Sequence, residues 1–220
     1  MKAVIELEHL SRRYGRQFIF SDVNLVVSPN KIIVLKGNNG AGKTTFLKVL
    51  STRLRPTSGN AKIFGFDLKK EAFEIRKLTA YLSVFGGNYQ NLSAFENLKF
   101  ALRLSKVDFT DDKLLARLEH VGLIDVKDKM VREFSSGMKK RLSIAKLLSV
   151  DAKLWLLDEP FAALDSAGKK LVDNLIIRAK EEQRTVIIAS HDLQRSSQFA
   201  DTILTIEDAS LKLEKNLNHG

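Results

Sequence analysis

The stretch Gly37-Asn38-Asn39-Gly40-Ala41-Gly42-Lys43-Thr44 fits G-x-x-x-x-G-K-[ST] and lies between an apolar run at 32–35 and a helix-like segment at 46–54. Strand, glycine-rich loop and helix, in that order, are the context a phosphate-binding loop requires. Glycines let the chain curl until successive N–H groups point inward, and the positive end of the following helix closes the nest. Polyphosphate is the guest such a nest selects. Gly37, Asn38, Asn39, Gly40, Ala41 and Gly42 would supply the cradle, and Lys43 would reach the β- and γ-phosphates as a point charge. The Thr44 hydroxyl would hold Mg²⁺, and Thr45 would add a further donor.

Composition bounds the rest. With 220 residues, 44% of them hydrophobic, the chain can form one large domain or a domain plus a lobe. No run approaches the ~18 apolar residues of a membrane span, and Met1-Lys2-Ala3-Val4-Ile5-Glu6 is too polar for a secretory signal, so a cytosolic protein is expected. The absence of cysteine excludes disulfides, thiolate metal sites and cysteine nucleophiles. His9, His120, His191 and His219 are too far apart to suggest a local zinc motif. The net charge of +10 comes with scattered basic pairs that lack interleaved aromatics, which favours a solvated basic surface over a nucleic-acid footprint.

Short apolar runs at 4–7, 23–27, 32–35, 61–64, 79–82, 154–157, 186–189 and 203–206 read as strands. Several lack polar alternation, as expected of a sheet covered on both faces. Between residues 85 and 148 strands stop. Ser93-Ala94-Phe95-Glu96 is a capping-box pattern opening a helix with Phe95, Leu98 and Leu102 on one face. Thr110-Asp111-Asp112 opens another, which carries Leu114, Leu118 and Val121 inward and ends at Gly122. The expectation is one domain over 1–220, with an α/β core at 1–84 and 149–220 and a helical lobe inserted at 85–148.

A second segment, Lys153-Leu154-Trp155-Leu156-Leu157-Asp158-Glu159-Pro160, is an apolar strand delivering two adjacent carboxylates at its end. Acids at the carboxyl edge of such a strand face the ligand crevice of an open α/β sheet. Asp158 suits a contact to Mg²⁺ or its water, and Glu159 suits a general base acting on water that attacks a γ-phosphate.

With these two segments the sequence resembles, over nearly its whole length, an ABC-type ATPase, the nucleotide-binding subunit of an ATP-driven transporter. Phe134-Ser135-Ser136-Gly137-Met138-Lys139-Lys140-Arg141 stands where that family carries its signature loop, Ala163-Leu164-Asp165 matches its D-loop, and Ser190-His191-Asp192 matches its switch histidine. Tyr14 matches the aromatic on which adenine stacks, with Phe18 as the fallback. The resemblance implies an α/β P-loop NTPase core of RecA-like type, with a small antiparallel β part and an inserted α-helical subdomain. It also implies ATP and Mg²⁺ as ligands and a two-fold dimer, of identical or paralogous halves, closing over two nucleotides. In that dimer Ser135 and Gly137 of one subunit would contact the γ-phosphate held by the other, Asp165 would border the site, and Lys43, Glu159 and His191 would carry the chemistry. An integral membrane subunit would be the working partner, with residues 84–92, Phe85, Tyr89 and Phe95 as candidate docking contacts or lobe core. The protein would sit on the cytoplasmic face of the cell membrane through that subunit.

Two segments depart from the family pattern. Val84 stands where the family places a glutamine that touches Mg²⁺, and a valine cannot ligate a metal. Gln90, six residues on, is a substitute only if the loop folds back. In the signature loop, Ser136 replaces a glycine and Met138 a glutamine. The form of that loop and the compact length resemble exporter ATPases, including the haem-exporter type of cytochrome c maturation. A non-transport ABC-type ATPase acting on protein or nucleic acid is the alternative, without its usual second phosphate loop or coiled-coil insertion. A GTPase or nucleotide kinase would want an Asn-Lys-x-Asp motif or an acceptor lid, and neither is visible.

Overall fold

The structure, a computed structural model, describes residues 2–84 and 87–216; Phe85 and His219 lie outside them. In chain order the elements begin β1 (Ile5–Tyr14), β2 (Gln17–Val27), β3 (Ile32–Lys36), α1 (Lys43–Leu50), β4 (Ser58–Ile63), β5 (Phe66–Asp67), α2 (Ala72–Leu78) and β6 (Thr79–Leu82). Helices α3 (Ala94–Leu104), α4 (Asp111–His120) and α5 (Ser136–Leu148) follow. The chain continues through β7 (Leu154–Asp158), α6 (Ser166–Glu181), β8 (Thr185–Ala189), α7 (Leu193–Ser196), β9 (Thr202–Glu207) and β10 (Ser210–Asn216). Contacts divide it into two compact units, Met1–Tyr81 with Ala152–Glu159 and Leu175–Gly220, and Leu82–Asp151 with Pro160–Asn174. Pro160–Asn174, placed by the sequence reading with the α/β core, groups with the helical unit.

The first unit holds two sheets, an antiparallel one ordered β2-β1-β4-β5 and a central one ordered β10-β9-β3-β8-β7-β6. Strands β9, β3, β8 and β7 pair in parallel, so the C-terminal ends of β3, β7 and β8 lie along one sheet edge. All five residues of β7 and of β8 are buried, which is why these strands read as unbroken apolar runs. One apolar core joins both sheets through α1, where Phe46, Leu47 and Leu50 pack with Leu35, Leu156 and Ile187. Phe46 also meets Phe20 of β2 edge-on, ring centroids 5.4 Å apart. Burying each such side chain contributes about 1.5–3 kcal/mol, and this helix carries the phosphate loop at its N-terminus.

Strands β1 and β2 are 10 and 11 residues long, well beyond the expected runs at 4–7 and 23–27. Their pairing continues through polar residues on the exposed face and through register shifts, with His9 and Asp22 at φ 51° and 53°. Strand β10 was not anticipated. It is a sheet edge whose Leu211 and Leu213 alternate with Lys212 and Glu214, a pattern with little apolar weight.

In the second unit the anticipated capping box is present. Glu96 N–H donates to Ser93 Oγ at 3.1 Å, and Ser93 N–H to Glu96 Oε2 at 2.8 Å. The buried face of α3 carries Ala94, Asn97, Leu98 and Leu102, whereas Phe95 is only half-buried. Asn97, fully buried, accepts from Tyr89 N–H and donates to the carbonyls of Tyr89, Leu92 and Ser93, so one side chain holds the preceding loop. Leu114, Leu118 and Val121 of the next helix are buried as expected, and Gly122 ends it at φ 71°.

Candidate functional site

The loop between β3 and α1 takes shape because two of its glycines sit where a side chain cannot. A Cβ on Gly37 would come within 2.6 Å of the Ile206 carbonyl oxygen, and one on Gly42 within 2.6 Å of Ile19 Cγ2, both at positive φ. Lys43, 8% exposed, arches back so that Nζ donates to the carbonyls of Gly37 at 2.6 Å and Asn38 at 3.2 Å. The ammonium thus spans the mouth of the loop. An open cavity of about 700 Å³ borders residues 36–41 and reaches Ser190, His191, Thr205 and Asp208, room enough for a polyphosphate.

The strand β7 carboxylates take different surroundings. Asp158, 1% exposed, accepts from Thr44 Oγ at 3.0 Å on Oδ1 and from the Tyr81 hydroxyl at 2.9 Å on Oδ2. Burial, and then the charge and hydrogen bond of Asp158, push the Tyr81 phenol well above the usual tyrosine range, so it keeps its proton and remains a donor. Glu159 has φ 46°, and its N–H donates to the Ala189 carbonyl of β8 at 2.8 Å. Its Oε2 lies 2.7 Å from His191 Nδ1. The loop, the acidic strand end and the histidine after β8 are therefore gathered at one sheet edge. Thr44 and Asp158 offer a hydroxyl and a carboxylate, hard oxygens that fit Mg²⁺ alongside phosphate oxygens and water. Among the described residues no group of three or more His, Cys, Asp or Glu could hold a metal by itself.

Tyr14 ends β1 half-exposed, with the Arg12 guanidinium carbon 4.5 Å from its ring centroid, and it does not line the cavity; Phe18, 45% exposed, pairs with Arg13. Thr45 follows Thr44 in α1 and is half-buried.

In the helical unit, Ser135 caps α5 by accepting from Met138 N–H at 3.2 Å. A Cβ on Gly137 would lie 2.9 Å from the Ala163 carbonyl, so glycine lets the two loops approach. Arg141 donates to Asp165 at 2.9 Å. The Gly168 N–H and then Arg141 hold the Asp165 carboxyl below the usual carboxylate range. Residues 135–138 and 163–165 share a recess of about 290 Å³. The Gln90 side chain donates to the Asn88 carbonyl at 3.3 Å, and Tyr89 is exposed, its ring edge-on to Phe100 at 4.8 Å. The residue that sequence reasoning missed is Tyr81: within a strand it reads as one more alternating aromatic, and only the pairing of neighbouring strands brings it to Asp158.

A model of the family described as ABC transporter matches residues 20–162. The bacitracin transport ATP-binding protein BcrA of Enterococcus faecalis is 34% identical over 219 residues, covering 99% of this chain and 71% of its own length. The cytochrome c biogenesis ATP-binding export protein CcmA of Histophilus somni is 31% identical over 187 residues, covering 85% of this chain and 86% of its own length. Among solved structures, the dimeric, post-hydrolysis ATP-binding cassette MJ0796 bound to ADP and Pi superposes with a TM-score of 0.89 at 22% identity, covering 98% of this chain and all of that one. The family model spans well over half of the chain and these relatives cover most of it, so the chain belongs to the ATP-binding subunits of ABC transporters.

Proposed function

We propose that this ATP-hydrolysing subunit works as a two-fold dimer, each Mg-ATP held between the phosphate loop of one copy and the signature loop of its mate. The observation that carries the reading is the convergence of Lys43, Thr44–Asp158 and Glu159–His191 at the C-terminal edge of one sheet. Lys43, already desolvated and held by two carbonyls, exchanges these for β- and γ-phosphate oxygens without a search through rotamers. Thr44 and Asp158 would hold Mg²⁺, which neutralises charge developing on the phosphates. Glu159 orients the attacking water and takes its proton. His191 holds that carboxylate in place through Nδ1. In the neutral ring an Nδ1–H given to Glu159 leaves Nε2 an acceptor, so donation to a phosphate oxygen calls for the doubly protonated ring or a rotation away from Glu159. Ser135 and the Gly137 amide, at the start of α5, offer anion-binding donors to the nucleotide of the mate, with Asp165 beside them.

Closure and reopening drive a separate membrane subunit, since no helix among the described residues is long and apolar enough to cross a bilayer. The exposed Tyr89 and Phe100 of the helical unit are the docking contacts for that subunit. The form of the signature loop, with relatives named as a bacitracin transport ATP-binding protein and a cytochrome c biogenesis ATP-binding export protein, supports an exporter at the cytoplasmic face of the cell membrane. Calorimetry with ATP on the purified chain and on Lys43→Ala tests the nucleotide reading: the variant should lose affinity by about 10- to 100-fold, as expected for a charge-assisted contact of 1.5–3 kcal/mol. Equal affinity in both would reject the loop assignment. Capture from native membranes should recover an integral subunit, and recovery of nucleic acid or a soluble client instead would favour a non-transport ATPase.

A further inference from the structure

The carboxylate of Asp158 is held from two sides by hydroxyls that arrive from different elements. Thr44, in the first turn of α1, faces Oδ1, and Tyr81, on the neighbouring strand β6, faces Oδ2. These two donors are not equivalent once a cation arrives. A hydroxyl that turns a lone pair toward a metal points its hydrogen elsewhere, so Thr44 gives up its donation to Oδ1. The Tyr81 hydroxyl lies on the other oxygen and has no such conflict. The Arg53 guanidinium carbon sits 5.1 Å from the Tyr81 ring centroid and keeps the ring under it.

Resting on the nucleotide reading above, we propose that Tyr81 is the positioning residue for the metal-side carboxylate, fixing the plane of Asp158 when Thr44 turns to a divalent cation. Strand β6 thereby serves the metal side of the site through a phenol three residues before Val84, the position at which a metal-ligating side chain is missing. Tyr81 touches neither nucleotide nor metal; it acts through Asp158.

The test is Tyr81→Phe in the full chain, with ADP binding followed by calorimetry in EDTA and in Mg²⁺, and with Mn²⁺ bound in the nucleotide complex counted by electron paramagnetic resonance. Loss of one hydrogen bond to a charged group should weaken the Mg²⁺-dependent part of ADP affinity about 10- to 100-fold. ADP affinity in EDTA should stay within about twofold, and the Mg²⁺ concentration for half-maximal hydrolysis should rise while kcat at saturating Mg²⁺ changes little. A variant that melts earlier but keeps wild-type metal dependence overturns the proposal, as does one that loses ADP affinity equally in EDTA. Wild-type protein that binds no nucleotide fails the earlier reading instead. Should Tyr81→Phe not fold, the unmutated chain supplies a second measurement. The Tyr81 hydroxyl proton should be protected from exchange and should shift on adding Mg²⁺ to the ADP complex, and a rapidly exchanging or unmoved proton rejects the role.

Discussion

Glu159 carries the prediction that belongs to single residues. Its carboxylate is mostly buried and hydrogen-bonded to His191, and its main chain is tied to β8. Glu159→Gln should keep the ATP affinity of the wild type while turnover falls about 10²- to 10⁴-fold, the usual contribution of a general base. ATP binding by calorimetry beside steady-state phosphate release checks this, and unchanged release would remove Glu159 from the chemistry. At this scale much was legible. The phosphate loop and the acidic strand end are local patterns whose residue types follow from what they hold, and the structure brings Lys43, Thr44, Asp158, Glu159 and His191 together. Tyr81 was not legible, because its role depends on which strand lies beside β7, a non-local fact. Gln90 was weighed only through its chemistry, and its side chain turns to Asn88.

Elements show where side-chain satisfaction and desolvation decide stability. Four hydrogen bonds tie the Asn97 side chain to the loop before α3, and Asn97→Ala should cost about 2–3 kcal/mol, read as a lower denaturation midpoint, because the Tyr89 N–H loses its acceptor and the carbonyls of Tyr89, Leu92 and Ser93 each lose one donor. Lys146 of α5 is the opposite case. Burial lowers its pKa from 10.5 to about 8, although Nζ donates to the Gly87 carbonyl at 3.3 Å. Between those pH values the unfolded chain binds more protons than the folded one, so Lys146 makes stability rise with pH over that window. Lys146→Met should therefore stabilise the protein by about 1–3 kcal/mol at pH 7, an advantage that shrinks toward pH 10, and denaturant titrations at both pH values will show it. Helix starts were readable because Ser93 and Thr110 are side chains whose capping chemistry is local. The reach of β1 and β2 and the presence of β10 were not, since exposed faces and edges need no apolar residues to be paired.

For the whole molecule the decisive question is whether one site takes residues from two copies. Gly137→Ala places a Cβ against the Ala163 carbonyl and should disable the signature side, while Lys43→Ala disables the loop side. If sites are shared, mixing these two inactive proteins creates dimers with one site built wholly from unaltered parts. An equimolar mixture should then regain about a quarter of wild-type turnover, half the dimers being mixed with one good site each. Sites confined to single copies would stay silent in the mixture. The antiparallel sheet and the core around α1 follow from hydrophobic patterning, whereas a shared site lies beyond anything one chain's pattern can encode.

The left-handed backbone at residue 159 carries a consequence of its own. A glutamate adopts that conformation at a cost of about 1–2 kcal/mol, offset here by the bond of its N–H to the Ala189 carbonyl. The carboxylate is aimed by the peptide chain and held by His191. What limits an idle cassette is then the encounter of two molecules, so phosphate release per chain should climb with protein concentration in dilute solution and level off once pairing saturates.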